Sequence, residues 1–168
     1  MIERTVIAIA ATLALSACAT SGGVPRPFPQ PGSARTPART TPPASGGGSA
    51  ISGTAMALRG APYRNGGSDP TGFDCSGFVQ YVFAQNGIAV PREVRDQFRA
   101  GRAVKNRRLQ PGDLLFFQTV ASGASHVAIA IGGDQFIHAP SARGAVRIES
   151  LASPYWSSRY LVARRIVG

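Results

Sequence analysis

The protein is a chain of 168 residues with 43% hydrophobic residues and a formal net charge of +10 at pH 7. That length allows one domain of ordinary size and excludes two. The positive charge favours polyanions or carboxylate-rich polymers as partners. The sequence contains no nucleic-acid recognition motif and no interleaving of aromatic and basic residues, so we expect no nucleic acid partner.

The first 20 residues have the pattern of an export signal. Arg4 precedes an apolar run over residues 6–15, which has the length of a signal-peptide core and is too short to span a bilayer of ~30 Å as a helix. The following Leu15-Ser16-Ala17-Cys18 resembles the bacterial lipobox. That resemblance implies a lipoprotein signal peptide at residues 1–17 and acyl chains on Cys18 that anchor the protein in a membrane. The alternative is an ordinary secretory signal cut beside an incidental cysteine.

Residues 18–49 are predicted to be a disordered tether that begins at the lipidated cysteine. Seven of the 13 prolines lie between residues 19 and 49, separated by Gly, Ser and Thr, so little of this segment can be buried. Ala19 stands after the cysteine, where lipoproteins of two-membrane bacteria that stay in the inner membrane carry Asp. The resemblance therefore implies an anchor in the outer membrane that faces the periplasm.

From residue 50 to residue 168 the pattern is that of one globular domain. Apolar periodicity and turn residues predict helices at 51–58, 75–85 and 94–100 and strands at 114–118, 125–131, 135–139, 146–150 and 159–166. Helices that precede antiparallel strands indicate an α+β fold.

Cys75 lies at the predicted start of the second helix. Asp74 is a favourable N-cap residue, which would place Cys75 in the first helical turn. Free N–H groups and the helix dipole stabilise a thiolate there, so we expect a lowered thiol pKa. Cys75 also lies three residues before Phe78 of the apolar stripe. Its position alone therefore allows a nucleophile or a small apolar core residue.

The two histidines of the chain, His126 and His138, both fall in the hairpin predicted around residues 132–134. If those three residues form the loop, the histidines become diagonal neighbours on one face, roughly 7–8 Å apart between backbones. A two-residue loop at the glycines would place them on opposite faces. In the first case Ala128 and Ala130 share the histidine face, which leaves room for a helix end to approach.

A thiol, an imidazole base and a second polar group that orients the base form the triad of a cysteine hydrolase. Cys75, His126 and His138 are the candidates for these roles. Each histidine taken alone could be an ordinary hydrogen-bonded residue. A Cys/His/His metal site is another alternative, but no closely spaced ligand pair occurs, so we expect no metal and no other cofactor.

These residues resemble the NlpC-type cell-wall peptidases, which are papain-like cysteine endopeptidases that cut the stem peptides of peptidoglycan. The resemblance covers nearly all of the chain from about Ala50 to Val167 and combines an Asp-Cys-Ser-Gly core with a later Ser-His-Val. The matching segments are residues 61–64, 66–67, 73–78, 90–92, 109–114, 125–127, 136–139, 154–156 and 163–165.

By position, the resemblance makes Cys75 the nucleophile, His126 the general base and His138 the orienting residue. The residues that it implies to contact the substrate or shape the site are Tyr63, Asp74 and Ser76. The sequence departs from the family pattern at two places. Asn65 stands where an aromatic residue is common, and Glu93-Val94 follows Pro91-Arg92 where Ser or Thr is common.

The resemblance implies a papain-like fold in which N-terminal helices pack on an antiparallel sheet and the nucleophile begins a helix. It implies a peptidoglycan endopeptidase that hydrolyses an amide bond of stem peptides or crosslinks through a thioester. We expect this enzyme to be a monomer. Two alternatives remain open. One is an amidase or acyltransferase on the same Cys/His scaffold, and the other is an inactive wall-binding lipoprotein.

Overall fold

The computed structural model describes residues 47–105, 108–140 and 144–168. The signal peptide predicted at residues 1–17, the lipidation site Cys18 and the tether up to residue 46 lie outside them. The helices are α1 (Gly47–Ala57), α2 (Cys75–Gln85), α3 (Val94–Arg99) and α4 (Pro154–Ser157). The strands are β1 (Ser68–Asp69), β2 (Gly72–Phe73), β3 (Arg102–Val104), β4 (Leu114–Phe117), β5 (His126–Gly132), β6 (Gln135–His138), β7 (Arg147–Ser150) and β8 (Tyr160–Arg165).

Six strands form one sheet in the order β3-β8-β4-β5-β6-β7, and each neighbouring pair is antiparallel. Strands β1 and β2 pair with each other just before α2. The predicted α+β fold, with N-terminal helices against an antiparallel sheet, is confirmed. In the described part of the chain, no helix is long and apolar enough to cross a membrane.

One face of the sheet packs against the N-terminal helices, and we call it the helix face. Phe116, Val127 and Ile129 point to this side and form one cluster with Ile51 of α1 and Val79 of α2. The helix face is an ordinary apolar core, and its burial provides the main driving force for folding.

The opposite face, which we call the aromatic face, packs against the short helix α4. Phe117, Ala128 and Phe136 form a second cluster there with Trp156 of α4. Both faces of the central strands are thus covered. For this reason β4 is the continuous apolar run Leu114–Phe117, buried at all four positions, rather than an alternating pattern.

Helix α1 begins at Gly47, within the segment that the sequence pattern assigns to the tether. A Cβ atom on Gly48 would lie 2.1 Å from the carbonyl oxygen of Pro111, so the first turn of α1 packs closely against the turn before β4. Glycine is a poor helix former on intrinsic propensity, which is why the sequence pattern places the boundary later. Tertiary contact extends the helix.

A buried ion pair fixes the start of β4. Arg165 at the end of β8 donates from Nε to Asp113 Oδ1 at 2.6 Å and from its terminal nitrogen to Oδ2 at 2.7 Å. The Asp113 side chain is 1% exposed and that of Arg165 is 12% exposed. Two parallel bonds from one guanidinium form the strongest kind of charge-assisted contact.

Candidate active site

Cys75 is the first residue of α2, as the sequence predicts. Asp74 caps the helix, because its Oδ1 accepts the N–H of Gly77 at 2.7 Å. A Cβ atom at Gly77 would lie 2.0 Å from the carbonyl oxygen of Gly67, so only glycine allows the first turn of α2 this close to the preceding loop. The Asp-Cys-Ser-Gly sequence therefore fixes where the helix starts and where the sulfur lies.

The Cys75 sulfur is partly buried and is a free thiol. Backbone N–H groups of Val127, Ser76 and Cys75 itself face it and favour its thiolate form. Two of these groups belong to the start of α2, and the third belongs to β5. Because Val127 directly follows His126, the sulfur is held beside the first residues of the strand that carries the imidazole.

Burial raises the pKa of the Cys75 thiol, the negative charge of Asp74 raises it further, and the three N–H groups oppose this rise. The expectation of a lowered thiol pKa is therefore wrong. The sequence pattern shows the helix start but cannot show how far the sulfur is withdrawn from water.

Arg92 binds both polar neighbours of Cys75. It donates to Ser76 Oγ at 2.7 Å and forms a short ion pair with Asp74 Oδ2. The buried Gln97 donates to the carbonyl oxygen of Ser76 at 3.0 Å, which ties α3 to the first turn of α2. Sequence reasoning missed these roles, because no local pattern connects residues 16 to 21 positions apart.

Tyr63 also lies beside the sulfur. Burial raises the pKa of its hydroxyl, and the charges of Cys75 and Asp74 contribute in the same direction. The Tyr63 hydroxyl donates to Asn65 Oδ1 at 2.8 Å. Asn65, a departure from the family pattern, thus orients a residue that the sequence predicts to be part of the site.

The hairpin of β5 and β6 has the register that brings the histidines to one face. Ile129 pairs with Ile137 and Ala130 with Phe136, as a three-residue loop would require. The loop itself is shorter, because Gly132 pairs with Gln135 and a shift in register follows Ala130. The irregularity restores the register that a two-residue loop alone would have lost.

His126 and His138 are buried and in direct contact. His126 Nε2 lies 2.7 Å from His138 Nδ1, and the two rings are nearly perpendicular. Burial lowers the pKa of His126 to about 4. The pKa of His138 is lowered by burial and by the nearby charges of His126 and Arg147. At neutral pH both rings are therefore uncharged.

The contact between the rings has two possible tautomers. If His126 Nε2 carries the proton, it donates to His138 Nδ1, and the free Nδ1 of His126 can accept a proton. His138 then carries its own proton on Nε2, an atom that has no hydrogen-bond partner among the residues the structure describes. Only this tautomer leaves His126 able to act as a base through Nδ1.

The histidines lie on the aromatic face of the sheet. The His126 ring stacks on Trp156 with 5.7 Å between centroids. The ring of Phe117 also contacts His126, and that of Phe136 contacts His138. The expectation that the small residues Ala128 and Ala130 make room for the end of the helix that carries Cys75 is wrong. They make room for these aromatic rings, whereas α2 packs on the helix face.

The structure thus groups the candidate residues in two sets that meet at the start of β5. One set surrounds the sulfur and contains Tyr63, Asp74 and Ser76, and the other is the pair of His126 and His138. Cys18 lies outside the described residues. Among the residues that the structure covers, no three His, Cys, Asp or Glu side chains are grouped as metal ligands.

These features define an α+β protein of the papain-like class, with a thiol at a helix start and a buried imidazole pair on neighbouring strands. The chain belongs to the NlpC/P60 family, whose family model matches residues 60–165. The resemblance inferred from the sequence is therefore confirmed.

Among curated proteins, the chain is 43% identical over 110 residues to the murein DD-endopeptidase MepS/murein LD-carboxypeptidase of Escherichia coli K12. That alignment covers 65% of this chain and 57% of the relative. It is also 43% identical over 113 residues to the gamma-DL-glutamyl hydrolase of Bacillus subtilis, covering 65% of this chain and 27% of the relative. The matched region therefore spans only part of the length of either relative.

Two solved structures show the same fold. An NlpC/P60 family protein from Bacillus cereus superposes with a TM-score of 0.68 at 37% identity, covering 72% of this chain and 40% of that chain. The NlpC/p60 domain of the peptidoglycan hydrolase SagA superposes with a TM-score of 0.62 at 39% identity, covering 70% of this chain and 97% of that chain. That structure consists almost entirely of the shared domain.

Proposed function

We propose that this protein is a cysteine-type peptidoglycan endopeptidase that hydrolyses an amide bond in stem peptides or crosslinks. The observation that carries the proposal is the contact of His126 Nε2 with His138 Nδ1 at 2.7 Å, on the strand whose next residue, Val127, holds the Cys75 sulfur. Further support comes from relatives named as murein endopeptidases and from the peptidoglycan hydrolase SagA.

In the resting site, the raised pKa of Cys75 and the lowered pKa of His126 keep thiol and imidazole neutral. We therefore assign proton transfer to the attack itself. As the sulfur forms a bond to the substrate carbonyl carbon, its proton passes to His126 Nδ1, because Nε2 is engaged with His138. The resulting imidazolium is stabilised by His138, whose Nδ1 accepts a hydrogen bond from the Nε2–H group and which stays neutral.

The carbonyl oxygen becomes an oxyanion in this step, and the backbone N–H of Cys75 at the start of α2 is a donor for it. Collapse of the tetrahedral intermediate breaks the C–N bond, and His126 gives its proton to the leaving amine. A thioester on Cys75 remains. Water then attacks the thioester with His126 as base, which releases the carboxylate product and restores the thiol.

Tyr63, Asp74 and Ser76 are assigned to the acyl side of the scissile bond, because they surround the sulfur. Asp74 and Ser76 are bound by Arg92, so their positions are fixed before the substrate arrives. Side chains that are already fixed in place bind a substrate without a further loss of conformational entropy.

The relatives differ in the bond that their names imply, so the bond cut by this protein has to be measured. Purified peptidoglycan digested with the full-length protein should release stem-peptide fragments, which mass spectrometry identifies. Cys75→Ala should release none, and Cys18→Ala, the same change at the other cysteine, should release the wild-type fragments. Cleavage that persists in Cys75→Ala would refute the proposal, and an amidase or acyltransferase would give different products.

We also infer that residues 1–17 are a signal peptide and that Cys18 anchors a monomeric enzyme in the outer membrane, facing the periplasm. The support is the lipobox-like sequence before Cys18, together with a substrate that lies in the cell envelope. Labelled palmitate should be incorporated by the wild type and not by Cys18→Ala. Equal incorporation by both would overturn the anchor.

A further inference from the structure

The sequence contains two Asn-Gly pairs, Asn65-Gly66 beside the candidate site and Asn86-Gly87 at the end of α2. In such a pair the backbone nitrogen of the glycine can attack the side-chain amide of the asparagine, which leads to deamidation. Glycine has no Cβ atom to hinder this attack, and asparagine is among the thermolabile residues. The two pairs have different surroundings in the structure, so we expect them to differ in reactivity.

Asn65 and Gly66 are exposed and occupy the centre of a β-turn. The turn is closed by the N–H of Gly67, which donates to the carbonyl oxygen of Arg64 at 2.9 Å. Gly66 has a φ of +69°, and a Cβ atom built there would meet no atom within 4 Å. Within the described part of the chain the Gly66 N–H donates no hydrogen bond, so the attacking nitrogen is accessible.

Tyr63 activates the side-chain amide of Asn65. Its hydroxyl donates to Asn65 Oδ1 at 2.8 Å. This hydrogen bond withdraws electron density from the amide carbon, and it stabilises the negative charge that develops on Oδ1 during the attack. The Nδ2 group of Asn65, which leaves, has no hydrogen bond to another residue that the structure describes. The carbonyl is therefore polarised, and the leaving group is unrestrained.

The surroundings of Asn86-Gly87 oppose the same reaction. Asn86 Nδ2 donates to the carbonyl oxygen of Val82 at 2.8 Å and to Thr54 Oγ1 at 3.1 Å. The N–H of Gly87 donates to the carbonyl oxygen of Ala84 at 3.0 Å. Both the leaving group and the attacking nitrogen are held at the helix end, so cyclisation would have to break these hydrogen bonds first.

We infer that Asn65 is a site of spontaneous deamidation in the folded protein and that Asn86 is protected. The Gly66 nitrogen forms a bond to Cγ of Asn65, and the bond from Cγ to Nδ2 breaks, which closes a succinimide ring. The proton of the Gly66 nitrogen leaves with Nδ2 as ammonia. Water then adds to either carbonyl carbon of the succinimide and opens the ring, which gives aspartate or isoaspartate at position 65.

The modification would place a carboxylate against Tyr63, beside the Cys75 sulfur. The turn is also joined to the start of α2, because the Asp74 N–H donates to the carbonyl oxygen of Gly67 at 3.0 Å. Isoaspartate adds a methylene group to the main chain of this turn. Negative charge near the sulfur disfavours the thiolate, as the charge of Asp74 already does. Deamidation should therefore lower the reactivity of the thiol.

A single tryptic peptide reports on both asparagines and on the thiol. Residues 65–92 follow Arg64 and end at Arg92 with no other Lys or Arg between them. The full-length protein is incubated at neutral pH, and fragmentation of this peptide in a mass spectrometer locates each deamidated residue. We expect Asn65 to deamidate about tenfold faster than Asn86 in the folded protein, because hydrogen bonds hold Asn86. In concentrated urea the two rates should become similar, because the folded surroundings are lost.

Four variants test the contacts that carry the inference. Tyr63→Phe removes the donor to Asn65 Oδ1 and should slow deamidation about fivefold, which corresponds to one hydrogen bond. Tyr81→Phe, the same change on α2, should deamidate as the wild type does. Iodoacetamide should label Cys75 about threefold more slowly in Asn65→Asp than in Asn65→Gln, because only the former adds a charge.

Equal deamidation of Asn65 and Asn86 in the folded protein would overturn the inference. So would deamidation of Asn65 without isoaspartate, because a succinimide opens to both products. An unchanged rate in Tyr63→Phe would refute activation by the hydroxyl, and equal labelling of Asn65→Asp and Asn65→Gln would refute the effect on the thiol. None of these measurements uses turnover, so their outcome does not depend on whether the protein cleaves peptidoglycan.

Discussion

The two ends of β4 bury ionisable groups in different ways. At its start, Asp113 is buried with its counter-charge, since Arg165 binds both carboxylate oxygens. At its other end, Phe117 pairs with His126, and the ionisable groups there are two uncharged imidazoles in contact with each other. One end holds a complete ion pair, and the other holds groups kept neutral by burial.

The difference separates structural from chemical roles. A buried charge is tolerated when a partner and hydrogen bonds compensate its loss of water, and the Asp113–Arg165 pair meets that condition. The imidazole end leaves the buried ring nitrogen Nε2 of His138 without a partner in the described residues, and burial there lowers the pKa of His126. Perturbed titratable groups of this kind concentrate at functional sites.

The contrast between the two ends of β4 is tested most strongly by the substitution His126→Gln. If His126 is the general base, as we propose, its removal should lower kcat/KM on stem peptides about 10³-fold, or roughly 4 kcal/mol of transition-state stabilisation. The free energy of unfolding at pH 7 should change little, because His126 stabilises the fold mainly by its volume. Steady-state kinetics and urea denaturation of the same preparation measure both. A variant within tenfold of wild-type activity would remove His126 from the mechanism.

The matching substitution at the start of β4 is Arg165→Ala, which should lower stability and leave catalysis nearly unchanged. It leaves Asp113 buried without its counter-charge, so the free energy of unfolding should fall by about 3 kcal/mol. Turnover measured well below the new transition should stay within twofold of the wild type. Arg99→Ala, which breaks an exposed ion pair, should cost less than about 0.5 kcal/mol. Equal losses in the two variants would show that burial of the pair has no energetic importance.

Acid should lower the free energy of unfolding, because the buried imidazoles at the end of β4 are neutral in the folded protein. The pKa of His126 is about 4 in the folded protein and about 6.5 in the unfolded chain. Between these values the unfolded state binds more protons, so stability is lost as the pH falls from 6.5 to 4, by on the order of 3 kcal/mol. His138 acts in the same direction, because its pKa is also lowered. His126→Gln should reduce this slope in urea denaturation at successive pH values, and an unchanged slope would contradict the neutral burial of His126.

The sequence predicts the residues of the candidate site better than it predicts the ion pair at the start of β4. The helix start at Cys75 follows from a local rule, the Asp N-cap. The shared face of His126 and His138 was predicted only for a three-residue loop, and the structure keeps that register through an irregularity after Ala130. The partner of Asp113 is 52 residues away, and nothing in either neighbourhood indicates it. The thiol pKa was wrongly predicted for the same reason, since burial depends on the packing of distant segments.

The sequence pattern also failed to predict the shortest helix and strands. The strands β1 and β2 have two residues each, and α4 has four, which is too few for any periodic pattern to appear. Yet α4 supplies Trp156, the residue that covers His126. The Pro-Tyr-Trp sequence matches the family pattern. The position of its tryptophan over the imidazole, however, depends on the path of the chain between β7 and β8.

The smallest predicted effect concerns His138 and the tautomer of the imidazole pair. In His138→Asn the amide oxygen can still accept a hydrogen bond from His126 Nε2–H, whereas an apolar leucine of similar size cannot. We expect kcat of the Asn variant to exceed that of His138→Leu about tenfold, because the lost bond is one to a charged group in the transition state. The Leu variant should also be less stable than the Asn variant, since it leaves the buried Nε2–H of His126 without its acceptor. Equal turnover of the two variants would mean that His138 supports the fold and does not orient His126.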